Sequence, residues 1–151
     1  ALRGMYHSLE RRFKVGGGGC VSAAFRSTNG IMQGCPLSVL LVNLMTNLWL
    51  LAIEAEVPGA TPVGYADDIN ASVEDRMAIA QVLTVTQEFA DLSGQQLHTE
   101  KTFAWATTPA SHAALTALRH ADGVPVKIVD QKVLLGARMV FSVADRRVEW
   151  L

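Results

Sequence analysis

The spacing of apolar and polar residues along the chain predicts a mixture of helices and short strands. Stretches with helical spacing cover residues 1–12, 37–56, 74–92 and 109–121. Short β-prone runs between turn residues predict strands over residues 13–15, 21–25, 61–65, 69–73, 124–130 and 132–140, and a turn with a strand within 97–107. No internal repeat interrupts this order, so we expect an α+β fold in which a small antiparallel sheet packs on helices.

The longest apolar run, Val39–Ile53, has the composition of a membrane-spanning segment. It falls below the ~18 apolar residues that a span requires, and Asn43, Thr46 and Asn47 interrupt it. Pro36 fits the first position of a helix, where its missing N–H is tolerated. We therefore expect a buried core helix here and no membrane partner.

Composition places the chain among globular proteins. Of its 151 residues, 50% are hydrophobic and 18% are charged, which excludes a disordered tail. Cys20 and Cys35 make no disulfide framework, so a reducing, intracellular setting is expected, and the start has no signal-peptide pattern. The chain starts at Ala1 within the apolar pattern of the first predicted helix and ends at Trp150-Leu151 without a polar tail. Both ends lead us to expect a piece of a longer protein.

The net charge of −1 hides an asymmetry along the chain. Residues 1–53 carry a net charge of +4, and the remaining residues carry −5. A basic first third could face a phosphate backbone, and it could equally be an ordinary solvated surface. Charge alone leaves both interpretations open.

Asp67 and Asp68 are the strongest candidates for chemistry. Two adjacent carboxylates between β-prone flanks repel each other, and a divalent cation would remove that cost. Magnesium prefers oxygen ligands and keeps positions open for substrate phosphates, as two-metal phosphoryl-transfer sites require. Asp is also common in solvated turns, and the pair taken alone favours that ordinary interpretation.

The neighbouring residues change this balance. Four segments, in this order, resemble motifs two to five of the palm domain in the reverse transcriptase family, particularly in non-LTR retrotransposons and group II introns. They are Gly30-Ile31-Met32-Gln33-Gly34-Cys35-Pro36-Leu37-Ser38, Tyr65-Ala66-Asp67-Asp68, Ser93-Gly94-Gln95-Gln96-Leu97-His98-Thr99-Glu100-Lys101-Thr102, and Val133-Leu134-Leu135-Gly136. The resemblance runs from about residue 3 to residue 140, and four ordered motifs make it specific.

The resemblance implies a right-hand polymerase palm that extends a DNA primer on an RNA template with deoxynucleoside triphosphates. Asp67 and Asp68 would be catalytic ligands of Mg²⁺, or of Mn²⁺ in its place. Lys101 would approach the departing pyrophosphate. The segments expected to contact template, nucleotide and primer contribute Gln33, Gly34, Pro36, Tyr65 and Ala66, with Leu135 and Gly136 in the primer grip.

Simpler roles stay open for three of these residues. Tyr65 could fill one face of the hairpin, Gln33 could belong to a helix-entry turn, and Lys101 could be a surface lysine. The sequence also departs from the family pattern. Val39 stands where Pro is usual, Val42 where Phe is usual, and His98 where Asn is usual. These departures suggest a divergent element copy, which could be decaying.

The family also places a third carboxylate upstream of its second motif. Upstream of Gln33 the only acid is Glu10, in a segment predicted to be helical, so we expect this chain alone to lack polymerase activity. The expected organisation is a partial reverse transcriptase domain over residues 1–145, with 146–151 beginning a connection to the thumb. Rival interpretations are an RNA-dependent RNA polymerase palm, a non-catalytic domesticated palm that binds nucleic acid or protein, and a relic without function.

Overall fold

A computed structural model describes residues 9–16, 19–26, 35–134, 137–141 and 148–150 of the chain. The chain divides into two compact units, Ala1–Val42 and Asn43–Leu151. The described residues contain three helices and several small sheets, which confirms the predicted α+β class. They do not form the one antiparallel sheet that we expected, because the described strands make five separate sheets.

The first unit contains four two-residue strands that pair as a nested hairpin. Strand β1 (Glu10–Arg11) pairs with β4 (Phe25–Arg26), and β2 (Lys14–Val15) pairs with β3 (Cys20–Val21), both antiparallel. The strands predicted over 13–15 and 21–25 are confirmed in part, because Phe13 and residues 22–24 are not in strands. Gly17 and Gly18, in the predicted connection, lie outside the described residues.

The helix predicted over residues 1–12 is wrong at its end. Residues 1–8 lie outside the described part, but Glu10 and Arg11 are in a strand. The reason is long-range pairing: β1 forms a ladder with β4, and the Glu10 carboxylate lies 3.3 Å from the Arg26 guanidinium. Pairing of this kind overrides local helical spacing.

Helix α1 (Pro36–Glu56) begins at the predicted proline and has 21 residues. Our expectation of a buried core helix was wrong, because its described buried residues are only Trp49 and Ile53. Its leucines are largely exposed, including Leu37, Leu40, Leu44, Leu48 and Leu51. Among the described residues it is the one helix with the length and composition of a membrane span, which alone is weak evidence for one.

A two-stranded hairpin and a second helix complete the larger core. Strands β5 (Ala60–Tyr65) and β6 (Asp68–Val73) pair antiparallel, as predicted. Helix α2 (Ala78–Ser93) starts later than expected. Asp75 makes a turn before it, accepting the Met77 amide N–H on its carboxylate at 2.9 Å. The core residues of these elements are Trp49, Ile53, Val57, Val82 and Val85.

The rest of the chain packs around a smaller core of Ala104, Leu115 and Val126. Strand β7 (Phe103–Ala104) pairs in parallel with β8 (Lys127–Ile128), and helix α3 (Pro109–Leu115) lies between them in sequence. The three-stranded sheet has the order β11 (Val148–Trp150), β10 (Ala137–Val140), β9 (Gln131–Leu134).

Two predictions for this region were wrong. The helix over 109–121 ends at Leu115, because Arg119 instead forms a bridge with Pro125 and the chain turns between them. Strands 124–130 and 132–140 do not pair with each other. The segment 131–140 is itself a hairpin with Leu134 opposite Ala137, and β8 pairs with β7 instead.

Candidate active site at the hairpin tip

The two acids lie at the tip of the β5–β6 hairpin. Tyr65 and Asp68 are the last opposed pair of the ladder, so Ala66 and Asp67 form a two-residue turn. Such tight turns match the strand twist when a residue adopts positive φ, and Ala66 has φ of +53°. Without glycine there, this left-handed conformation costs about 1–2 kcal/mol. Asp67 and Asp68 are both exposed.

The hairpin has an inner and an outer face. Inward positions such as Ile69 and Ala71 pack against the larger core. The outer face carries Tyr65, opposite Asp68, together with Val63. Tyr65 is 68% exposed and Val63 is 59% exposed. Tyr65 therefore lies exposed on the outer face of the hairpin, where its ring is accessible to another molecule.

The carboxylates of Asp67 and Asp68 have no side-chain hydrogen bond or ion pair with any other described residue. The part of the chain that the structure describes brings no third His, Cys, Asp or Glu into a metal-binding group with them. Free carboxylate oxygens on an accessible tip suit a hard divalent cation, which protein sites often hold through one or two carboxylates and substrate phosphates. The donor chemistry of this pair thus fits such an ion.

Helix α1 holds the tip from the inner side through Thr46. The Thr46 hydroxyl donates to the Ala66 carbonyl oxygen at 2.7 Å. One position before Tyr65, Gly64 faces the same side chain, and a Cβ at Gly64 would overlap the Cγ2 methyl of Thr46. Neither residue was predicted from the sequence, in which Thr46 only interrupts an apolar run. The available signal was a lone threonine among leucines and a glycine directly before the acidic turn.

The other predicted site residues are divided between described and undescribed parts of the chain. Pro36 is the first residue of α1. Gln33, Gly34, Leu135 and Gly136 lie outside the described residues, so their proposed contacts stay predictions.

Lys101 is exposed, in a turn that follows helix α2. Gly94 ends the helix with φ of +70°, and the Gln95 amide donates to the Ala90 carbonyl at 2.8 Å, as in a Schellman motif. The His98 carbonyl then accepts the amide N–H groups of Lys101 and Thr102, both at 2.9 Å. No hydrogen bond or ion pair joins Lys101 to the acidic tip within the described chain.

The first unit presents aromatic and basic groups together. The rings of Phe13 and Phe25 stack with centroids 5.0 Å apart, and Phe13 is 65% exposed. Arg12 and Lys14 flank Phe13 and are exposed. Exposed rings beside cations are typical of surfaces that bind single-stranded nucleic acid.

Comparison with known families identifies the class of protein. The family model described as reverse transcriptase (RNA-dependent DNA polymerase) matches residues 8–147, so this chain belongs to the reverse transcriptase family. Members of that family are nucleotidyltransferases that generally act on template, primer and deoxynucleotides with divalent ions.

One curated relative indicates which branch of the family the chain resembles. The chain is 30% identical, over 95 residues and 59% of its length, to the Retrovirus-related Pol polyprotein from type-2 retrotransposable element R2DM of Drosophila melanogaster. It spans 9% of the length of that relative. The resemblance to non-LTR retrotransposon reverse transcriptases is thereby confirmed. No solved structure matches the chain.

Proposed function

We propose that this chain forms part of the palm of a retroelement RNA-directed DNA polymerase. We propose further that the tip of the β5–β6 hairpin is the metal-binding site of that palm. The observation that carries the proposal is the pair Asp67 and Asp68, exposed and unpartnered among the described residues at a tight hairpin tip. Family membership supplies the reaction class, and comparison favours neither a viral RNA polymerase nor a non-catalytic palm.

In this proposal each residue of the tip has a defined task. Asp67 and Asp68 hold Mg²⁺, or Mn²⁺ in its place, and the bound ions neutralise the nucleotide phosphates and activate the primer hydroxyl. Tyr65, on the outer face opposite Asp68, packs near the primer terminus. Ala66 keeps the turn narrow, so that an approaching nucleic acid meets backbone and a methyl group there.

Residues beyond the tip complete the proposed palm. Gln33, Gly34 and Pro36 contact template and nucleotide in this proposal. Leu135 and Gly136 contact the primer. Lys101 neutralises the departing pyrophosphate, for which its exposed ammonium group is suited. The proposal includes an intracellular setting, which is expected because Cys20 and Cys35 make no disulfide framework.

The deciding experiment measures deoxynucleotide incorporation on a primed RNA template by the full-length protein. Asp67→Asn keeps the side-chain shape but removes its charge, and Glu88→Gln is the matched control on an exposed part of α2. We expect Asp67→Asn to lower the rate on the order of 100-fold or more, because metal-bound charge stabilisation contributes several kcal/mol. The control should retain the unsubstituted rate.

A second measurement separates metal binding from activity. Mn²⁺ bound by the protein is followed through its paramagnetic resonance signal, without nucleotide. Weakened binding in Asp67→Asn supports the proposal, and equal incorporation by Asp67→Asn and the unsubstituted protein overturns it. Duplex binding without incorporation or Mn²⁺ uptake in the unsubstituted protein would favour the non-catalytic palm.

A further inference from the structure

We propose that Thr46 is a positioning residue for the two acids, an inference that rests on the proposed function of the hairpin tip. Thr46 lies in the middle of helix α1, and its hydroxyl donates to the Ala66 carbonyl oxygen at 2.7 Å. It therefore links the helix directly to the turn that carries Asp67 and Asp68.

The hydrogen bond from Thr46 acts on the peptide group directly before Asp67. The Ala66 carbonyl belongs to the peptide plane that joins Ala66 to Asp67, so fixing that oxygen fixes where the Asp67 backbone begins. Ala66 also has φ of +53°, which an alanine rarely adopts without support. A turn held in this conformation from outside presents its carboxylates in one arrangement instead of several.

Packing on the strand reinforces the hydrogen bond. Gly64 has no side chain, and this lets Thr46 approach so closely that a Cβ there would overlap its Cγ2 methyl. Leu50, one turn further along the helix, lies 3.8 Å from the same point through its Cδ2 atom. The hydroxyl and the methyl of Thr46 thus contact two positions of one hairpin, two residues apart.

Other helical threonines in the protein use their hydroxyls differently. Thr84 and Thr86 in helix α2 donate to their own helix, at the carbonyls of Ala80 and Val82, at 3.1 and 2.7 Å. This return to the preceding turn is the common local choice for a threonine within a helix. Since a hydroxyl has one proton to donate, the bond from Thr46 to Ala66 replaces that choice.

The test compares Thr46→Val with Thr84→Val in the full-length protein. Both substitutions remove a hydroxyl and keep a β-branched shape, but only the first removes a contact with the hairpin. Hydrogen exchange of the backbone amides from residue 64 to 70 is measured without metal. Incorporation is measured as a function of Mg²⁺ concentration, and the KM for primed template is determined separately.

We expect Thr46→Val to accelerate exchange at the tip and to raise the half-saturating Mg²⁺ concentration by about three- to tenfold, the equivalent of one hydrogen bond. The KM for primed template should not change, and Thr84→Val should match the unsubstituted protein in all three measurements. Faster exchange with an unchanged Mg²⁺ requirement overturns the inference, because Thr46 would then hold the turn without positioning its carboxylates.

A second set of variants distinguishes a specific effect on the hairpin tip from general misfolding. Gly64→Ala alone should raise the Mg²⁺ requirement by crowding Thr46. Adding Thr46→Ser removes the obstructing methyl and keeps the donor hydroxyl, so the double variant should recover most of the loss. A double variant no better than Gly64→Ala alone overturns the packing argument.

Failure of the inference and failure of the proposed function give different results. If Asp67→Asn retains incorporation, the tip is not the metal site and the proposed function fails. If Asp67→Asn loses incorporation while Thr46→Val behaves as Thr84→Val does, the proposed function stands and the role of Thr46 is overturned.

Discussion

The indole N–H of Trp49 donates to the hydroxyl of Thr86 at 3.1 Å, joining helix α1 to helix α2 inside the core. Trp49 is 2% exposed and Thr86 is 9% exposed, so this hydrogen bond is buried. The Thr86 hydroxyl in turn donates a hydrogen bond to the Val82 carbonyl oxygen at 2.7 Å. The indole N–H of Trp49 and the hydroxyl of Thr86 therefore both have hydrogen-bond partners, on the helices that support the β5–β6 hairpin.

Replacing Thr86 by valine should destabilise the protein. The substitution preserves shape but leaves the buried Trp49 N–H without its acceptor, which costs about 1–3 kcal/mol. Chemical denaturation monitored by tryptophan fluorescence gives the change in unfolding free energy. Thr84→Val serves as the control, because the Thr84 hydroxyl is exposed and bonds only within its own helix. Equal stability of the two variants would contradict the assignment.

Replacing Gly94 by alanine should also destabilise the protein, through the backbone. Gly94 ends helix α2 at φ of +70°, and adding a Cβ in that region costs about 1–2 kcal/mol. No atom lies within 4 Å of the added Cβ, so the loss would come from conformation and not from a clash. Thermal unfolding measures it, and an unchanged melting temperature would show that the turn can relax.

Lys101→Gln should lower the rate of incorporation at saturating nucleotide. The proposed role of Lys101 is to neutralise charge that develops on pyrophosphate, and such contributions act on kcat more than on KM. A rate loss of about tenfold or more is expected. Lys127→Gln, on an exposed position of strand β8, is the control. A loss confined to KM would mean that Lys101 binds substrate without assisting the reaction.

Lys14→Gln should weaken nucleic-acid binding in a salt-dependent manner. If Lys14 contacts one phosphate, the magnitude of the slope of log affinity against log salt concentration should fall by about 0.7 on a single strand. Fluorescence anisotropy with single-stranded RNA, over a salt series, measures this slope. An unchanged slope would assign the basic first unit to an ordinary solvated surface, the other interpretation that charge alone left open.

The sequence predicted best those elements whose signals are local. Pro36 marked the start of helix α1, Gly94 marked the end of α2, and the acidic turn marked the β5–β6 hairpin. Each of these depends on the backbone preference of one or two residues. The Asp67 and Asp68 candidates came from the same kind of signal, strengthened by their neighbours.

Failures arose where distant pairing decides the structure. Glu10 joins a strand because Arg26 pairs with it, and the predicted strand that contains Lys127 pairs with Phe103 of β7 instead of with the strand that follows it. The residues within either segment do not indicate which strand will pair with it. The leucines of α1 were predicted to be buried because they are apolar, yet burial depends on which neighbours surround the helix.

The contact between Thr46 and Gly64 links two positions that are eighteen residues apart in the sequence. A side chain gained at position 64 would be tolerated only if position 46 became smaller, and a larger residue at 46 would require the glycine to stay. Related sequences should therefore vary at these positions jointly. A compatible combination of residues at positions 46 and 64 could be used to recognise related sequences that still form a functional hairpin.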